Sequence, residues 1–364
     1  MTEKITAKQF FNKVLNGSAL GIILGLLPNA ILSGLLGLMG DGVIVTAATH
    51  AVLIFQMATP LLIGALVALQ FGLTPNKVVL VAGASMVGSG VIRFNPEVGA
   101  FIGAGAGDII NTMLTASIAI LLIMLIGEKL GSVAIVASPI VIGALSGLIG
   151  MFTLPYVAMI SQAIGHAINT FTNIQPLLMS ILISMSFALI ILSPLSTVAI
   201  GMAIGLTGIS AGAAAMGVAS VAVTLVVYSW KVNKSGVTIA VALGAMKMFM
   251  PNLFRYPIIL VPTFFTAAIA AIPVALFSIS GVPTSAGFGL VGLVGPIASI
   301  EAGLSLPLAI VSWLIVPAIA ALGSMLIFEK MLKLYKKEVV FAFSQDEPKK
   351  EVAPKKEVAP KKAA

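Results

Sequence analysis

Only 9% of the residues are charged, and the ionisable and amide side chains gather around two glycine-rich stretches. Residues 83–117 hold Arg93, Glu97 and Asp108 beside Asn95 and Asn111, with glycines at 83, 88, 90, 99, 103, 105 and 107. The second stretch runs from Gly281 through Pro283, Thr284, Ser285, Gly287, Gly289, Gly292 and Gly295 to a single carboxylate, Glu301. Hydroxyls, amides, open backbone and isolated acids are the equipment for holding a polar solute by hydrogen bonds. They are poor equipment for breaking bonds: no nucleophile–base pair, phosphate loop or hydrolase pattern occurs. With His50 and His166 far apart and no cysteine, neither a metal site nor a cofactor is expected.

Asp108 and Asn111 are expected to line a solute or ion path, with helix capping or bridging as the alternative. Glu301 reads as a ligand or proton-linked group, or else as a carboxylate at the membrane rim; Thr284 and Ser285 supply hydroxyls beside it. Asn95 and Glu97 stand with Arg93 near a span end, where a loop ion pair competes with a ligand role. His50 and Gln56 are six residues apart and so lie on different helix faces. Lys247, with Asn252 and Arg255 beyond Pro251, offers positive charge to a carboxylate or an anionic solute, or snorkels to the interface.

These groups must be positioned by elements that lie in lipid. The chain is 59% hydrophobic with a mean hydropathy of +1.14, and a soluble surface of this size needs roughly a quarter of the residues charged. The net charge of +8 is no nucleic-acid signal, because ten of the twenty basic residues lie between Lys330 and Lys362. Residues 1–14 read as an interfacial amphipathic segment and 15–334 as a permease domain with candidate halves 15–130 and 132–334. Residues 335–364, with Lys-Lys-Glu-Val-Ala-Pro repeated, read as a disordered cytoplasmic tail. The fold expected is an all-α polytopic membrane protein with about ten transmembrane helices, nine to twelve at the outside. The apolar runs at 77–92, 237–250 and 284–300 are short for a bilayer, which makes them candidate re-entrant or broken hairpins. Lysines at both ends put both termini in the cytoplasm. Residues 155–175 read as an amphipathic segment outside the membrane. A weak two-fold repeat pairs Ser33–Met39 with Ser146–Met151, and Gly72-Leu73-Thr74 with Gly205-Leu206-Thr207.

NPEVGAFIGAGAGDIINTM from Asn95 and GVPTSAGFGLVGLVGP from Gly281 carry a resemblance. The chain resembles the stand-alone IIC-like membrane proteins of the bacterial phosphotransferase system, including the perfringolysin-regulator-like branch, over about residues 10 to 335. The resemblance implies a homodimeric permease in the bacterial cytoplasmic membrane that binds a sugar-like solute by alternating access. In the coupled systems that it resembles, a separate cytoplasmic IIB protein phosphorylates the solute, so IIA and IIB proteins are candidate partners, the chain itself is not expected to be an enzyme, and uncoupled or ion-coupled transport stays open. The sequence departs from the glucose-type pattern: Pro283-Thr284-Ser285 stands where a Glu-Pro signature is expected, and no phosphoacceptor cysteine is present. A membrane sensor that signals solute occupancy is the alternative function.

Overall fold

A computed structural model describes residues 5–37, 39–40, 42–126 and 129–343. Helix α1 (Ala7–Gly37) is unbroken, so most of the interfacial segment expected at 1–14 is the start of the first long helix. Burial explains this: Val14 and Leu15 already face the core, and Lys13 Nζ donates to the Gln70 carbonyl at 2.7 Å. Residues 1–4 lie outside the described residues. Helices α2 (Val43–Met57) and α3 (Thr59–Gln70) form a pair bent by 43°. Pro60 sits in the first turn of α3, where its missing N–H costs nothing. Gly17, Gly21 and Gly25 let α1 lie against α3: a methyl group on any of them would strike Val67, Ile63 or Thr59. Small residues four apart are how helices approach closely without a hydrophobic driving force between them.

Helix α4 (Pro75–Gly88) leads into strands β1 (Ile92–Asn95) and β2 (Ala100–Gly103), which pair antiparallel with Phe94 opposite Phe101. The all-α expectation is therefore corrected by one hairpin, and the glycines are the cause. Gly99, at φ +67, closes the turn by donating to the Asn95 carbonyl, while Asn95 Oδ1 accepts the Glu97 N–H at 2.8 Å.

Helix α5 (Ile109–Ile126) and the helical run α6 (Ala134–Asn173) follow. The segment expected outside the membrane at 155–175 is mostly the continuation of α6, with Pro155 inside the helix and a 3-10 turn ending at Asn173. After it come α7 (Pro176–Leu192), α8 (Thr197–Ala203), α9 (Gly208–Ser229), α10 (Pro257–Leu276), α11 (Val294–Glu301) and α12 (Leu306–Met331).

Among the described residues five helices, α5, α6, α9, α10 and α12, are long and apolar enough to cross a membrane, and the α2–α3 pair makes a sixth. The short runs are short or broken: α4 has 14 residues, 237–250 divides into Ser235–Ala242 and a 3-10 turn at Met246–Phe249, and turns precede α11.

The buried apolar side chains form two clusters, one from Val14 to Ile142 joined by Met250, the other from Ile168 to Phe343. Helix α6 contributes Ile142 to the first and Ile168 to the second. The two Gly-Leu-Thr sequences end helices in the same way. Gly72 and Gly205 have φ of 66 and 64, and the N–H groups of Leu73 and Leu206 return to the carbonyls of Ala68 and Gly201.

Residues 335–343, expected to belong to the tail, are packed on the helices. Tyr335, Val340, Phe341 and Phe343 are buried, and Asn252 Nδ2 donates to the carbonyls of Val340 and Ala342 at 2.9 and 2.8 Å. The repeated lysine-rich part of that tail, 344–364, lies outside the described residues.

Candidate functional site

A cavity of about 740 Å³ opens between the two clusters. Ile22 and Ile109 of the first cluster face it from one side, Ile191, Met246 and Val291 of the second from the other. Irregular backbone makes much of the wall: the strand and loop at 90–96 and 104–107, the turn at 244–247, and Gly287-Phe288. Glycine makes this possible where the chain runs against helices. Gly287 packs on Val198 so closely that no side chain would fit, and Thr197 Oγ1 donates to the Gly287 carbonyl at 2.8 Å.

The polar groups on this largely apolar wall include two cations and three amides. Asn29, on α1, donates through Nδ2 to Gln56 Oε1 at the end of α2. Arg93, on β1, donates through Nε to the Gly90 carbonyl at 2.9 Å. Lys247 is 8% exposed, and its Nζ donates to the carbonyls of Ser193 and Leu195 at 2.7 and 2.6 Å. These carbonyls stand at the C-terminal end of α7, where unpaired C=O groups attract a cation. Among the described residues no carboxylate lines this cavity.

A smaller cavity of about 280 Å³ adjoins it, shares Arg93 and Ser196, and is lined by Asp108, Gln162 and His166 as well. Asp108 caps α5: its Oδ1 accepts the Asn111 N–H at 2.8 Å, and its own N–H donates to the Ser89 carbonyl at 2.8 Å. Arg93 lines the same small cavity as this carboxylate.

The ten side chains singled out on the sequence therefore divide. Gln56, Asn95 and Lys247 line the larger cavity and Asp108 the smaller. Asn111 reaches neither, because it is fully buried with Nδ2 donating to Gly88 and Gly150 carbonyls at 2.6 and 2.7 Å. The Thr153 hydroxyl donates to its Oδ1 at 2.8 Å, so the amide bridges α4, α5 and α6. Ser285 closes its own turn, accepting from the Val282 N–H and donating to the Val282 carbonyl. His50, Glu97, Thr284 and Glu301 are exposed and line neither cavity. The four residues Asp108, Asn111, Thr284 and Glu301 thus do not share one cavity: Asp108 caps α5 beside the smaller one, Asn111 is taken up in joining helices, and Thr284 and Glu301 line neither.

Asn29, Ser196 and Thr197 were missed. The signal for Asn29 was present, a lone amide after Pro28 in an apolar run; Ser196 and Thr197 carry none beyond their nearness to Pro194.

A family model described as "Phosphotransferase system, EIIC" matches residues 12–341. No curated protein and no solved structure matches the chain.

Proposed function

This chain belongs to the phosphotransferase system EIIC family, and from that premise we propose that it carries a sugar-like polar solute across the membrane through the larger cavity. EIIC proteins are the membrane components of sugar-specific permeases, and the apolar helices make this one a multi-pass membrane protein. The observation that supports the reading is the position of the cavity between two separately packed clusters, because rocking one packed half against the other exposes an intervening site to each side in turn. Irregular backbone is tolerated at membrane depth where it lines such a space.

In this reading the shorter broken elements bring the number of crossings to about ten, and both termini face the cytoplasm. The protein works as a homodimer in the bacterial cytoplasmic membrane. Any phosphorylation of the solute is carried out by separate IIA and IIB proteins. Gln56, Asn29 and Asn95 hold solute hydroxyls, and Asp108 serves the neighbouring cavity from the start of α5.

Uptake of radiolabelled sugars into proteoliposomes tests this. Transport of at least one compound, weakened by Gln56→Ala and Asn29→Ala, is expected; transport at the wild-type rate in both variants rejects the site.

A further inference from the structure

Resting on the reading of the larger cavity as the solute site, we infer that the solute carries one anionic group, a carboxylate on a hydroxylated body. The charges on the wall argue for it. Arg93 and Lys247 are the cations there, and among the described residues no carboxylate faces them within the cavity. The remaining wall is mostly apolar, so a charge inside it is poorly screened and an opposite charge on the solute counts for more than it would in water.

The number of anionic groups follows from what each cation already meets. Arg93 lines both cavities, and the smaller one also holds the Asp108 carboxylate, so this cation has an acid within the protein beside one of the two spaces it faces. Lys247 has no such partner among the described residues: its Nζ donates to the carbonyls of Ser193 and Leu195, both uncharged. An ammonium has three N–H donors, and these two bonds leave the third. A buried ammonium held by carbonyls alone is costly, and a solute carboxylate beside it removes much of that cost. A single solute carboxylate beside Lys247 supplies the charged partner that the two carbonyls do not. Arg93 brings a planar fork that matches a carboxylate, and the amides of Asn29, Gln56 and Asn95 remain for hydroxyl groups. A sugar acid fits this set better than a neutral sugar does.

The competing explanation is that Lys247 only caps α7. The two differ in selectivity. A cap alters folding stability and leaves the preference between acid and neutral solutes untouched.

The test is titration calorimetry on the full chain in lipid nanodiscs, with a panel of hexuronates and aldonates, each paired with its neutral hexose or alditol, and with glucose 6-phosphate. Melting temperature is recorded for every variant. At least one acid is expected to bind about tenfold or more tightly than its neutral partner. Lys247→Gln should bring that ratio close to one, and Lys247→Arg should restore it. Arg93→Gln is the second variant should Lys247→Gln not fold, and it too should reduce the ratio. A neutral partner that binds as tightly as its acid overturns the inference and leaves the transport reading standing, as does a ratio unchanged in the variants that fold. Tighter binding of glucose 6-phosphate than of every monoacid overturns the count of one. Failure of the folded protein to bind any compound overturns both readings.

Discussion

Asn111 donates its side-chain amide to the Gly150 carbonyl at 2.7 Å, fastening the first turn of α5 to the middle of α6. The same nitrogen reaches the Gly88 carbonyl at the end of α4. A methyl group on Gly88 or Gly150 would strike Thr115, so three helix backbones meet here at close range. The junction fixes where α4 ends and α5 begins, and hence where the intervening loop with Arg93 and Asn95 stands.

Asn111→Leu fills a similar volume and leaves these carbonyls without the amide donor, while the Thr153 hydroxyl keeps the Gly150 carbonyl at 3.1 Å. It should cost about 2–4 kcal/mol of stability, whereas Thr153→Val, which removes one hydroxyl, should cost about 1 kcal/mol. Thermal unfolding in detergent checks both.

Much of this junction was legible in the sequence, and part of it was misread for a physical reason. Asp108 stands directly before an apolar run with Asn111 three residues on, the pattern of a helix N-cap, and capping was the alternative weighed against a solute role. An acid in an apolar segment signals that it has a partner, and the sequence does not say whether that partner is a solute or four free backbone N–H groups. The tight turn is written in Asn95-Pro96 and Gly99, while an all-α expectation for a chain in lipid leaves no place for the two strands that flank it. Glu301 was unreadable for another cause: one carboxylate at a helix end looks the same whether the end faces a cavity or the outside. Lys247 and Gln56, which line the larger cavity, stand out in the sequence because amides and cations are rare within apolar runs.

The glycines of α1 give a contrast within one residue type. Gly21→Ala sets a methyl group against the Ile63 backbone and should destabilise by about 1–3 kcal/mol. Gly83→Ala, in α4, meets nothing within 4 Å and should stabilise by about 0.5–1 kcal/mol, since glycine costs that much in a helix interior. Melting temperatures should move in opposite directions.

The end of the described chain is a strap. Asn233 Nδ2 donates to the Phe341 carbonyl at 2.8 Å, its Oδ1 accepts the Phe343 N–H at 2.7 Å, and Phe341 stacks on Tyr228 with ring centroids 4.3 Å apart. A stop after Phe343 should leave the melting temperature unchanged. A stop after Leu334 uncovers Tyr228 and both asparagines and should cost about 3 kcal/mol or more. Truncations meant to test a signalling role for the tail therefore belong after Phe343.

The measurement closest to the central claim uses the absence of native cysteine. Ala104→Cys and Ala199→Cys place single thiols on the cavity wall. Each is labelled in membrane vesicles of known orientation with an impermeant maleimide, with and without a transported solute. The account predicts that solute slows labelling of both thiols and changes the side from which each is reached. Labelling at one rate from one side, indifferent to a solute that the vesicles do take up, would contradict it.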